Sequence, residues 1–212
     1  MIFRDRLDAG ERLAAALQQY RDATQGVVLG IPRGGVVVAG SIADELHLPL
    51  GICPVRKLGA PGNPELAIGA VDDDGVLVFD RKLIRHLGLE DDELLDAANR
   101  QHEELRAWLL RIGEGAVPPI EGRVAILTDD GVATGYTAQA GVQSLRRRRA
   151  AKVVLAVPVA PPDTAERLAP QVDDFVCLAM PEPFYAVGNF FEAWPQVNDD
   201  EVRALLLARN TL

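Results

Sequence analysis

The segment ILTDDGVATGYTAQ, residues 126–139, places two adjacent carboxylates, Asp129 and Asp130, at the end of an apolar run and directly before a loop of small residues. Carboxylates accept hydrogen bonds from vicinal hydroxyls, and they hold the waters around a hard cation such as magnesium. The loop from Gly131 to Thr137 suits a different group. Ala133 and Gly135 allow close approach to the backbone, Gly135 tolerates positive φ, and Thr134 and Thr137 add hydroxyl donors. If the loop opens a helix, unpaired N–H groups and the helix dipole favour an anion there. Phosphate at one end and a diol beside it describes a ribose 5-phosphate. The plain alternative is an acidic turn in which Asp130 or Thr134 caps a helix. The pattern matches neither a P-loop, nor GxGxxG, nor a calcium loop.

Three further stretches carry chemistry. GIPRGG, residues 30–35, also ends an apolar run and opens a helix; Gly34 and Gly35 offer bare backbone donors, and Arg33 a guanidinium suited to paired phosphate oxygens. Lys57 lies in VRKLGAPGNPELAIGAV, which reads as a Gly/Pro-rich loop followed by a strand, with Arg56 a weaker candidate for the same work. PEPFYAVGNFFEAW gathers five of the chain's eleven aromatics (Phe184, Tyr185, Phe190, Phe191 and Trp194). A flat base would stack on Phe184 or Tyr185, and most of the other rings would form a small local core.

The elements that must position these groups follow from periodicity. Residues 6–20 place Leu7, Leu13, Ala14 and Leu17 at helical spacing. GVVLGIP, LGICPV, GVLVF, RVAILT, KVVLAVPVA and DFVCLAM read as strands, and GGVVVAGSIADEL, TAQAGVQSLRRRR, PPDTAERLA and DDEVRALLLA as helices. Residues 81–112 read as helical, with Leu94, Leu95, Ala98, Leu105 and Leu109 on one face. Continuous apolar strands alternating with helices predict an α/β fold with a mostly parallel, twisted sheet covered on both faces. Asp129 and Asp130 then fall at a strand's carboxyl end, where such sheets bind ligands.

ILTDDGVATGYT resembles the signature of the type I phosphoribosyltransferases. RDRLDAG, IPRGG, VRKLGAPGNPELAIGA and PEPFYAVGNFFE extend the resemblance along nearly the whole chain, to a stand-alone bacterial subgroup with no assigned acceptor base. The resemblance implies a magnesium-dependent enzyme that transfers ribose 5-phosphate from phosphoribosyl pyrophosphate to a nitrogenous base and releases pyrophosphate. It implies that Asp129 and Asp130 hold the ribose hydroxyls and, through water, the metal. Ala133, Thr134, Gly135, Tyr136 and Thr137 hold the 5-phosphate. Arg33, Gly34, Gly35 and Lys57 hold pyrophosphate, Lys57 from a mobile loop that closes over the substrate. Phe184 and Tyr185 belong to a hood that binds the base. In relatives that act on 6-oxopurines, an aspartate at the position of Ala133 handles the purine N7 proton; alanine here argues against hypoxanthine or guanine. The implied organisation is one domain over residues 1–212, with a core of about 22–180, a helical insertion of about 81–115 and a hood from 1–20 and 181–212. A homodimer is a family expectation. A non-catalytic sensor of nucleotide or donor on the same fold is the competing function.

Composition limits the alternatives. A net charge of −9 over 212 residues argues against generic nucleic-acid binding. No apolar run reaches transmembrane length and the N-terminus lacks a signal-peptide core, so the expected location is cytoplasmic, without membrane contact. Cys53 and Cys177 sit in apolar runs and read as free buried thiols. Arg146–Arg149 reads as a solvated helix end, Asp72–Asp74 as a turn, and His47, His86 and His102 as surface residues.

Overall fold

Strand β1, Gly26–Gly30, is buried at every residue, as a strand covered on both faces must be. Its side chains alternate: Val28 enters one apolar cluster, and Val27 and Leu29 another on the opposite face. The computed structural model describes residues 2–209. Met1 and residues 210–212, part of the expected hood, lie outside the described residues.

The chain runs through α1 (Arg6–Ala16), β1, α2 (Gly34–Leu46), β2 (Leu50–Ile52), β3 (Val55–Ala60), β4 (Asn63–Asp72), β5 (Leu77–Phe79), α3 (Arg81–Leu87) and α4 (Asp91–Ile112). It continues through β6 (Val124–Thr128), α5 (Tyr136–Arg147), β7 (Lys152–Val159), α6 (Pro162–Leu168), β8 (Asp174–Ala179) and α7 (Asp199–Arg209). Five parallel strands form the main sheet in the order β2-β1-β6-β7-β8. β6 is central, with Val28 opposite Ile126 on one side and Ile126 opposite Val154 on the other. Strand order reverses between β1 and β6, the place where ligands bind in open α/β sheets.

The expected α/β fold with a parallel sheet is therefore present, with three local corrections. LGICPV is divided: β2 belongs to the main sheet, and Val55 already belongs to a second, antiparallel sheet in the order β3-β4-β5. Residues 55–72 form a hairpin and not an open loop, with Gly62 at the turn adopting φ 76°. Leu7 and Leu95, expected on buried helix faces, are exposed. On α4 the buried stripe is Leu94, Ala97, Ala98, Leu105, Trp108 and Ile112, with Leu109 partly buried. The hairpin packs its own small core, Leu58, Ile68, Leu94, Ala97 and Ala98, against α4.

The N-terminal segment meets the stretch after β8, packing with Val159 of β7 and Leu178 and Ala179 of β8. Phe3 bridges Phe191 as a short parallel pair, donating its N–H to Phe190 O at 2.8 Å and accepting from Glu192 N at 2.8 Å. Phe3, Phe191 and Trp194 stack in sequence, and Phe184 packs on Phe190 at 5.1 Å. Most of the tail's aromatics thus form a small core, as their density suggested. Among the described residues, no helix is long and apolar enough to cross a membrane. Cys53 is buried, Cys177 partly so, and both are free thiols.

Candidate functional site

Two helix N-termini flank the carboxyl end of β6. The first turn of α5 follows Gly135, which adopts φ 78° and offers no side-chain cap. Neither Asp130 nor Thr134 caps this helix, so its first N–H groups remain available to a ligand. The first turn of α2 follows Arg33, again without a side-chain cap. The GIPRGG and DDG loops touch: a Cβ on Gly34 would overlap the Asp130 carboxylate, and one on Gly35 would overlap the Asp129 backbone. Glycine is needed here for close approach of two loops as well as for exposed donors.

The two aspartates differ in their partners. Asp130 Oδ2 accepts from Arg6 Nε at 2.8 Å, and Arg6 Nη1 donates to Pro195 O at 2.7 Å. The Arg6 guanidinium also lies 3.7 Å from the Trp194 ring centre. Asp129 Oδ1 accepts the Asp130 N–H at 2.8 Å, and among the described residues no cation is paired with it. Burial, then the adjacent Asp130 carboxylate, pushes Asp129 well above its usual 3.8. Burial also raises Asp130, against the pull of Arg6.

Asp129 opens onto a cleft of about 580 Å³ that contains Lys57 and the whole loop from Gly131 to Thr137. Lys57 stands on β3, and the pleat sends its neighbour Arg56 the other way, to Glu104 on α4 at 3.1 Å. Tyr136 lines the cleft through its side chain: its hydroxyl donates to Asp80 Oδ2 at 2.6 Å. Burial and that carboxylate push Tyr136 up to about 12. Burial raises Asp80, but the Tyr136 hydroxyl and the N–H groups of Leu83 and Lys82 outweigh it and hold Asp80 below its usual value.

Arg33 and Gly34 open onto a separate cavity of about 280 Å³, shared with Arg6 and Trp194. The Arg33 guanidinium reaches Val197 O at 3.5 Å and Asp199 at 3.6 Å, away from the cleft. Phe184 lines a third groove that includes Ala133 and Thr134, whereas Tyr185 is exposed. Sequence reasoning missed Arg6, Asp80, Thr164 and Arg167. Thr164 Oγ1 donates to Ala133 O at 2.9 Å, and Arg167 Nη2 donates to Thr134 O. The RDRLDAG segment was a usable signal for Arg6; nothing local marks the others.

The arginine run ends α5 and is largely exposed, as expected, but each of its side chains is also paired. Arg146 pairs with Asp173, Arg147 with Asp72, Arg148 with Asp73 and Arg149 with Glu121. Asp72 is buried and also accepts the N–H groups of Asp74 and Val76, so the turn is an anchored one. His102 is partly buried, its Nε2 2.9 Å from Asp73 O, and His47 contacts Asp22 at 3.0 Å.

Residues 2–179 match the phosphoribosyl transferase domain family, and the chain belongs to that family. It is 46% identical over 208 residues, 97% of its length, to a Mycobacterium tuberculosis protein named "Putative phosphoribosyl transferase Rv0571c". That match covers 46% of the relative, so the chain spans about half the length of the curated relatives it matches. The crystal structure of TT1426 from Thermus thermophilus is 41% identical, with a TM-score of 0.81 over 99% of each chain. The AQ2163 protein from Aquifex aeolicus shares the fold at 12% identity, with a TM-score of 0.52 over 82% of this chain and 73% of its own.

Proposed function

We propose that the protein is a magnesium-dependent phosphoribosyltransferase that takes phosphoribosyl pyrophosphate as donor and transfers ribose 5-phosphate to a nitrogenous base. The observation that carries this reading is the meeting, on one cleft, of an uncapped helix N-terminus with a partly buried carboxyl that has no cation partner among the described residues. The first suits a phosphate and the second a diol or a hydrated cation.

In the proposed reaction the C1–oxygen bond to pyrophosphate breaks, a bond forms from a ring nitrogen of the base, and that nitrogen loses its proton. Asp129 and Asp130 orient the ribose hydroxyls. The amides of Ala133–Thr137, with the Thr134 and Thr137 hydroxyls, anchor the 5-phosphate. Lys57 from the hairpin, and Arg33, Gly34 and Gly35 from the start of α2, take up charge growing on the leaving pyrophosphate. Arg33 would have to leave Asp199 to do so. Ala133 supplies no base for the acceptor proton, which supports an acceptor other than a 6-oxopurine. Phe184, beside Ala133 in the third groove, is the better placed ring to stack on that acceptor; Tyr185 is a second wall. The residues fit a hydrated cation at Asp129, whose crowded carboxyl gains from positive charge, better than at Asp130, which already has Arg6. Magnesium, when bound, neutralises pyrophosphate charge and makes it a better leaving group. Asp72–Asp74, though close enough together to hold a metal, are matched by Arg147 and Arg148 and do not fit that role. The site and its supports draw on residues from Arg6 to Asp199, which supports treating 1–212 as one functional domain.

Calorimetric titration of phosphoribosyl pyrophosphate, with and without Mg²⁺, tests the reading on wild type, Asp129→Asn and the Asp129→Asn/Asp130→Asn pair. The expected result is Mg²⁺-dependent binding, weakened in the single variant and lost in the double. A folded wild type that binds no donor overturns the reading; nucleoside monophosphates are then the ligands to titrate.

A further inference from the structure

The phosphate loop from Gly131 to Thr137 contains no cationic side chain. The cleft around it is bordered by three carboxylates, Asp80, Asp129 and Asp163. A phosphate monoester carries roughly −1.5 to −2 charges at pH 7. The end of one helix dipole supplies about half a positive charge. Neutral amides and that dipole leave such a ligand short of counter-charge, in surroundings that already repel it.

Two cations line the cleft among the described residues, Lys57 and Arg167. Lys57 stands on the hairpin. Arg167 stands on α6, directly against the loop. Its Nη2 donates to Thr134 O, its Nη1 donates to Gln139 Oε1 at 3.1 Å, and its guanidinium carbon lies 5.3 Å from the Tyr136 ring centre. A Cβ on Gly135 would come within 2.9 Å of Nη2, so the guanidinium sits at the residue that opens α5. Thr164, one turn earlier, ties the same helix to Ala133 O. The guanidinium is therefore fixed relative to the loop, and its planar fork has five N–H donors for oxygen ligands.

We propose that Arg167 binds the 5-phosphate, supplying from α6 the positive charge that the loop itself lacks. The ligand class is a furanose phosphate monoester, and the inference rests on the ribose 5-phosphate reading of this cleft. Arg167 would then discriminate between the two phosphate ends of the donor. It contacts the monoester end and leaves the pyrophosphate end to Lys57 and Arg33.

The test is calorimetric titration of ribose 5-phosphate, phosphoribosyl pyrophosphate and Mg²⁺-pyrophosphate into wild type, Arg167→Gln and Arg167→Lys, each checked for folding by its melting curve. The expected result is that Arg167→Gln weakens ribose 5-phosphate and the full donor by the same factor, about ten- to a hundredfold, from loss of a charge-assisted contact. Pyrophosphate affinity stays unchanged, and Arg167→Lys recovers part of the loss because the charge remains. Wild-type affinity for ribose 5-phosphate in Arg167→Gln would show that the side chain only tethers the loop. So would an equal loss for pyrophosphate. Either outcome overturns this inference while donor binding by the wild type leaves the proposed function standing. A wild type that binds neither sugar phosphate overturns both.

Discussion

Asp72–Asp74 and Asp129–Asp130 look alike in the sequence: each is a run of aspartates closed by a glycine. Each also lies near α5, one run at its C-terminal end and the other before its N-terminus. The fold treats them in opposite ways. Asp72 is buried but receives Arg147 and two backbone N–H groups, and Asp73 receives Arg148 at 2.6 Å. Asp129 is pushed upward by burial and by its neighbour, while the nearby guanidinium of Arg6 is bound to Asp130. Carboxylates that hold the hairpin to α5 are matched within the chain. The carboxyl facing the cleft is left for a ligand to match.

Arg6→Ala is expected to give the largest effect, because Arg6 belongs to both patterns. It is buried, bonded to Asp130 and Pro195, and stacked on Trp194. Its removal strands a largely buried charge and loosens the junction between the N-terminal segment and the stretch at Trp194–Pro195. A cost of about 3 kcal/mol is expected from breaking such a pair, together with weaker donor binding. Urea unfolding and donor titration read the two effects separately. A variant as stable as wild type would mean that Asp130 needs no internal partner.

Arg147→Ala tests the matched end alone. Asp72 would keep its two N–H donors, and Arg147 is partly exposed, so the expected cost is smaller, about 2 kcal/mol. Donor affinity per folded molecule should not change. A loss of donor binding without loss of stability would show that the far end of α5 communicates with the phosphate loop, which breaks the division between the two runs.

How much of this was legible in the sequence depended on distance along the chain. The motif DDGVATGYT and the helix GGVVVAGSIADEL are local patterns, and α2 occupies the residues expected of it. Only the second arm of the hairpin was legible, because RKLGAPG has the composition of a loop; the strand character of the first arm comes from pairing with residues 63–72. Helical spacing placed Leu7, Leu13, Ala14 and Leu17 on one apolar stripe; the last three are buried, but Leu7 is exposed and Arg6 and Asp8 are buried instead. Arg6 meets a partner 124 residues away. The four arginines meet acids at 72–74, 121 and 173, so a run that is largely exposed, as it reads, is also paired throughout. Periodicity reports which residues face inward. It does not report which charges will find each other.

The smallest expected effect is also the one that separates the two treatments by sign. Asp129 has a folded pKa above its usual 3.8, so the folded state binds more protons than the unfolded state between that value and the raised one. Stability without ligand should therefore fall as pH rises through that window, by at most about 1.4 kcal/mol per unit for one proton. Asp173, paired with Arg146 on the matched side, shows the reverse. The Val153 N–H, and then Arg146, hold it below 3.8, so its contribution is present above 3.8 and is lost as pH falls through the lowered value. Asp129→Asn should weaken the first trend to the part that Asp130, also raised by burial, contributes, leave the second, and make the ligand-free protein slightly more stable at pH 7, by about 1 kcal/mol. Melting temperatures of wild type and variant from pH 3 to 8 would read both limbs. Parallel curves above pH 4 would mean that Asp129 is no more costly to ionise than a surface carboxylate, and the contrast between the two aspartate runs would fail.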